Sequence, residues 1–213
     1  LCLLLPVCFL CGAIYMSSAS PLLPYSSSYI TSLTRKRAGE LKVGERVIAA
    51  GSAWQRAIET HKGDYVLLGI PEDIGVRANL GRPGAHSAFT PALSAFLNQY
   101  HNGFFDGSDV MVLGEVQCRD LMKKAAGIRT VTPRNLQRLR DLVSRLDERV
   151  TAVLKAIFAA GKIPLVIGGG HNNAYGIIRA FAQSASPANV INCDPHLDFR
   201  LREGRHSGNS FSY

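Results

Sequence analysis

The order of apolar runs and helical stretches predicts an α/β domain: a mostly parallel sheet with helices on both faces. Three observations point there. Short apolar runs of strand length recur between residues 65 and 193. Helical spacing or helix-cap signals fill the stretches between them. The runs end in loops rich in glycine, proline or acidic residues instead of two-residue hairpin turns.

"YVLLGI", Tyr65 to Ile70, is an unbroken apolar run closed by Pro71, as expected of a strand buried on both faces. "PEDIGVRANLGRPG", Pro71 to Gly84, holds too many glycines and prolines for a regular element and reads as a long loop. "TPALSAFLNQY" then predicts a helix with Thr90 as N-cap and Pro91 at the first helical position. "DVMVLGEV", Asp109 to Val116, is the second strand, and Thr132 with Pro133 opens a long helix. Leu136, Leu139, Val143, Leu146, Val150, Val153 and Ile157 recur every three or four residues as its buried stripe. Arg138, Asp141, Arg145 and Arg149 fall mostly off that stripe and read as a solvated face. Gly161 stops the helix. "IPLVIGGGH", Ile163 to His171, is the third strand and its glycine turn, followed by a helix from about Asn173 to Ser184. "NVINC", Asn189 to Cys193, is the fourth run, with Cys193 as a small core residue.

The chain has 213 residues, 46% of them hydrophobic and 19% charged, enough for one sizeable core and too apolar for disorder. Its net charge of +8 comes from 24 Lys and Arg against 16 Asp and Glu, but the cations are scattered. "RKR", Arg35 to Arg37, is too short to imply nucleic acid. Residues 1–63 read as a leader and extension, partly disordered. "LCLLLPVCFLCGAIY", Leu1 to Tyr15, is short for a membrane span and lacks a basic start. It reads either as a truncated signal peptide or as translation upstream of Met16. Sequence is expected to be missing at both ends. Cys118 and Cys193 stand alone in the body, which suits a reducing, cytoplasmic setting; secretion through the leader is the alternative, and no membrane partner is expected unless that leader is retained.

In an open parallel sheet, ligands collect at the carboxyl ends of the strands. His171 and the run "DPHLD", Asp194 to Asp198, both sit at such ends. If the run stays extended, Asp194, His196 and Asp198 project to one side, and Cys193, Pro195, Leu197 and Phe199 to the other. Crowded carboxylates and imidazoles repel and desolvate poorly unless a cation compensates them. With His171 they form a nitrogen and oxygen donor set suited to manganese, iron or zinc, able to hold more than one ion. The pattern alone is short, and a helix-capping aspartate with a bonded histidine also fits it. Its pairing with "GGGH" one helix upstream favours metal.

"IGGGHNNAYG", "NCDPHLDFR" and the loop "GIPEDIGVRANLGRPGA" together resemble the ureohydrolases, the family of arginase, agmatinase and formimidoylglutamase. The resemblance covers about residues 64–213 and implies the amino-terminal part of a three-layer α/β/α fold, incomplete at its C-terminus. It implies two Mn2+ per complete chain: His171 and Asp198 on one ion, His196 on the other, Asp194 bridging. It further implies hydrolysis of a linear amidine or guanidine by hydroxide made available near neutral pH, with His206 moving protons. Gly170 stands where arginases and agmatinases usually carry aspartate, which tilts the expected substrate toward formimidoylglutamate; arginine or agmatine is the alternative. Arg200, Arg202 and Arg205 suit a substrate carboxylate, and Asn209 or Ser210 could add polar contacts. The family's third, acidic ligand cluster is expected beyond Tyr213, so the chain alone is expected to be poorly soluble and inactive; a catalytically silent relative is the rival reading. Family members are often oligomers. His61 and His101 are expected to face solvent, His86 to cap or lie on the surface, and Trp54 to sit in a short helix against the sheet.

Overall fold

The computed structural model describes residues 20–184, 189–196, 198, 200–206 and 208. The expected leader Leu1 to Tyr15 lies outside them. A five-stranded, mostly parallel sheet forms the centre. It comprises β1 (Leu22–Pro24), β2 (Ile48–Ala49), β3 (Tyr65–Ile70), β4 (Val110–Val116) and β5 (Ile163–Gly168), in the order β1-β4-β3-β5 with β2 also on β4. β3 runs parallel to both β4 and β5, whereas β1 is antiparallel to β4.

Side-chain alternation sorts the central strands onto two cores. Val66, Leu68 and Ile70 of β3, with Met111 and Leu113 of β4, face a layer that includes α2 (Trp54–Thr60), α5 (Arg119–Ala126) and α6 (Pro133–Ala159). Leu67, Val110 and Val112 face α1 (Ser27–Leu33) and α4 (Phe89–Leu97). Helices on both faces make the expected α/β/α layering. Residues 20–63 belong to the same body: Tyr25 and Ile30 enter one core, Trp54 and Ile58 the other.

α6 is the principal support of the site side. Thr132 accepts a hydrogen bond from the Asn135 backbone N–H at 3.2 Å, and Pro133 occupies the first helical position. Leu139, Val143, Leu146, Val150, Val153 and Ile157 are buried. Each such side chain contributes about 1.5–3 kcal/mol when fully buried. Gly161 ends the helix in the left-handed region, φ 70°, its N–H bonding Phe158 O while the Lys162 N–H bonds Ile157 O. That closure turns the chain into β5, and α7 (Asn173–Ser184) then packs back along α6.

The structure corrects several expectations. The loop after β3 contains a short helix, α3 (Ile74–Ala78). α4 starts at Phe89, because a 3₁₀ turn at Ala85–Ser87 already brings Ala88 into helical geometry; Pro91 is tolerated in the first turn, where N–H groups lack helical partners anyway. Arg149 is not a solvated residue: its guanidinium holds both Asp120 oxygens, at 2.5 and 2.8 Å, and Gln117 O. His61 is buried, its Nε2 3.3 Å from Asp109 O, while its own carbonyl accepts from Lys162 Nζ. Residues 189–193 form no strand, and Cys193 is exposed. A strand needs a neighbour to take its backbone N–H and C=O groups, and among the described residues none pairs with this run. Among the described residues no helix is long and apolar enough to cross a membrane.

Candidate metal centre

The tips of β3 and β5 lie side by side, Ile70 opposite Gly168. After Gly168 the chain must turn at once into α7, and the two glycines that follow have no room for side chains. A Cβ on Gly169 would lie 1.6 Å from Glu72 O, and one on Gly170 would lie 2.2 Å from Asn172 Oδ1. His171 leaves this turn just ahead of α7, its side chain 37% exposed.

Asp194 and Asp198 approach from the segment that lacks a strand. The extended alternation expected for Asp194 to Asp198 does not form. Asp194 Oδ1 accepts the His196 backbone N–H at 2.8 Å, bending the chain, and Asp198 takes a positive φ of 58°. Leu197 and Phe199, assigned to the opposite side of that strand, lie outside the described residues.

This bent path nevertheless brings His171, Asp194 and Asp198 together. His171 Nδ1 is 3.0 Å from Asp198 Oδ2 and 3.8 Å from Asp194 Oδ2. One donor atom from each of the three lies within 4.8 Å of the others. Asp198 is fully buried as a side chain and Asp194 half-buried. His196 is more exposed, and its Nδ1 stands 3.1 Å from Asp194 Oδ1. Asp194 therefore lies between two imidazoles, one oxygen toward each. The His196 N–H, followed by its ring, holds the Asp194 carboxyl below its ordinary range. Opposite donors of an ion bound at about 2.1 Å stand about 4 Å apart, so these three fit one divalent cation with little adjustment. Their nitrogen and oxygen chemistry suits a hard or borderline ion.

The other expected site residues spread out. Arg200 donates to Asn79 Oδ1 at 2.6 Å and to Glu203 Oε1 at 3.3 Å, and Arg140 of α6 donates to Glu203 Oε2 at 2.9 Å. These groups line a cleft of about 260 Å³. Arg205 pairs loosely with Glu148, at 3.4 Å, and Arg202 is exposed. His206 is buried against the helices: its ring stacks on Tyr175, Nε2 is 3.3 Å from Arg179, and Nδ1 is 3.5 Å from Asp147. Desolvation, then the Arg179 charge, lowers its pKa. Asn209 and Ser210 lie outside the described residues. His86 Nδ1 meets the buried Asp73 Oδ2 at 2.5 Å. His101 is exposed.

Sequence reasoning passed over Glu72 and Asp73, both almost fully buried at the tip of β3. An acidic pair directly after a buried strand was the available signal, the same one that marked Asp194.

Comparison with known proteins places this geometry. The chain is 31% identical over 169 residues to Formimidoylglutamase of Chromobacterium violaceum, covering 76% of this chain and 47% of that protein. It is 36% identical over 152 residues to Formimidoylglutamase of Salmonella arizonae, covering 68% and 40%. The chain thus spans less than half the length of these curated relatives. A solved Trypanosoma cruzi formiminoglutamase with Mn2+ aligns with a TM-score of 0.48 and 26% identity, over 74% of this chain and 50% of that one. The Arginase family model matches residues 63–212, a span that takes in both strand tips and all four expected ligands, and the chain belongs to that family.

Proposed function

We propose that this chain supplies His171, Asp194, His196 and Asp198 to a binuclear manganese centre that hydrolyses formimidoylglutamate to glutamate and formamide. The convergence of His171, Asp194 and Asp198 within 4.8 Å carries the reading. The relatives named Formimidoylglutamase support the substrate, and the nitrogen and oxygen donor set supports a hard or borderline metal such as manganese.

In this reading His171 and Asp198 would hold one ion, His196 would hold the second, and Asp194 would serve both. The division is the one the family resemblance implies, and the contacts of Asp194 support it: its Oδ2 faces His171 and its Oδ1 faces His196. Each hard divalent ion takes about four to six ligands, so two ions need donors beyond these four residues. Bound manganese would lower the pKa of water so that it can attack the amidine carbon near neutral pH.

The chain's own groups do the rest. Arg200 offers a guanidinium to the glutamate-type carboxylate, oriented by Asn79 and Glu203; Asn209 is the sequence's further candidate there. His206 is the proton carrier implied by the family. Burial and Arg179 both disfavour its imidazolium, which favours a neutral ring that is a weaker base than a free imidazole.

The test is product analysis of the Mn2+-loaded protein containing this chain. Formamide release from formimidoylglutamate is expected, with loss of release in Asp198→Ala. Urea from arginine or agmatine would shift the substrate assignment, and a folded, loaded protein that releases neither would leave only a binding role.

A further inference from the structure

We propose that Glu72 is the positioning residue of the His171 turn. Glu72 follows β3 by two residues and is wholly buried where the tips of β3 and β5 meet the first turns of α3 and α7. Its Oε1 accepts from the Gly170 backbone N–H at 3.0 Å and from Asn173 Nδ2 at 2.6 Å. Its Oε2 accepts from the Ile74 backbone N–H at 2.7 Å. Asn173 Nδ2 also donates to Gly170 O at 2.8 Å.

These four bonds form a closed unit. Gly170 is gripped at its N–H by Glu72 and at its carbonyl by Asn173, whose amide is itself held by Glu72. The Gly170 carbonyl shares a peptide plane with the His171 N–H. Fixing that carbonyl therefore fixes the plane from which the ligand side chain departs. Removing a carboxylate from water is costly, and an apolar side chain would fill the same space more cheaply. Only a group that accepts in three directions can tie β3, α3 and the β5–α7 turn together. A Cβ on Gly170 would collide with Asn172 Oδ1, at 2.2 Å, and would come within ordinary contact, 3.4 Å, of Glu72 Oε1. An acidic residue at 170 would bring a second buried carboxylate against the first.

The functional consequence rests on the metal reading above: a ligand held in place before the ion arrives binds it more tightly. The experiment compares Glu72→Gln, Asn173→Ala and the core control Leu154→Ala in the folded protein containing this chain. Gln places an N–H against a donor. Without metal, Gly170 amide exchange is expected to rise at least about tenfold and the His171 ring resonances to shift in Glu72→Gln, but not in Leu154→Ala. With Mn2+, affinity is expected to fall about 10–100-fold in Glu72→Gln and by a smaller factor in Asn173→Ala. If Glu72→Gln does not fold, Asn173→Ala decides, since it keeps the carboxylate and breaks the unit. A folded variant with unchanged Gly170 exchange and unshifted His171 resonances overturns the proposal. Failure of the unsubstituted protein containing this chain to bind Mn2+ counts against the metal reading instead, and the metal-free comparison still judges Glu72.

Discussion

α6 and the strands beneath it are held by apolar burial, whereas the described residues between 189 and 208 are held by turns and ion pairs. Val143, Leu146, Val150, Val153, Leu154 and Ile157 of α6 are completely buried. In the later segment Ile191 is 97% and Leu201 90% exposed. The contacts there include Arg140 to Glu203, Arg205 to Glu148, and His206 to Asp147 and Arg179. The candidate ligand cluster sits on the seam, with His171 on the packed side and Asp194 and Asp198 on the polar one. One ligand is placed by the core, and the others by local hydrogen bonds that a cation can draw tighter.

Four substitutions break or sharpen this contrast. The largest effect is expected from Leu146→Ala, about 2–5 kcal/mol in chemical denaturation, since it opens a cavity against the sheet. A loss under 1 kcal/mol would mean that α6 is not the support described here. Next is Asp198→Ala, which removes the fully buried carboxylate beside His171. It should weaken Mn2+ binding about 100-fold or more while leaving the far-UV spectrum unchanged, and calorimetric titration measures it.

A smaller effect concerns pH. The pKa of His206 is lowered in the fold, so as pH falls the unfolded chain takes up the proton first. Its contribution is present above about pH 6.5 and declines as pH drops through the lower folded value. His206→Gln should flatten the stability slope below pH 6.5; an unaltered slope would assign it to other groups. The smallest effect belongs to Ile191→Ala, within about 0.5 kcal/mol of the parent despite removing more hydrocarbon than many core changes. A cost comparable to that of Leu146→Ala would show that residues 189–193 are packed after all.

Much of the packed side was legible in the sequence. The α6 stripe, its Thr132 and Pro133 start and its Gly161 stop are all local rules, because capping and helical spacing depend on neighbours a few residues away. β3, β4 and β5 were legible as apolar runs for the same reason. The run at 189–193 looked equivalent and is not, since strand formation depends on a partner edge that lies far away in sequence or is absent. His61 and Arg149 were misplaced because burial is decided by what folds over a residue. Glu72 was missed because its partners, Gly170 and Asn173, are about a hundred positions downstream.

The sequence by itself determined the alternation of elements, the helix ends and the residue types that gather at strand tips, all consequences of short-range sterics, hydrogen bonding and apolar periodicity. Only the tertiary structure decided that Asp194 and Asp198 reach His171 along a bent path, and that a buried carboxylate just past the end of a different strand grips the His171 turn. Those outcomes depend on which strand tips become neighbours, and chain separation conceals that until the sheet has formed.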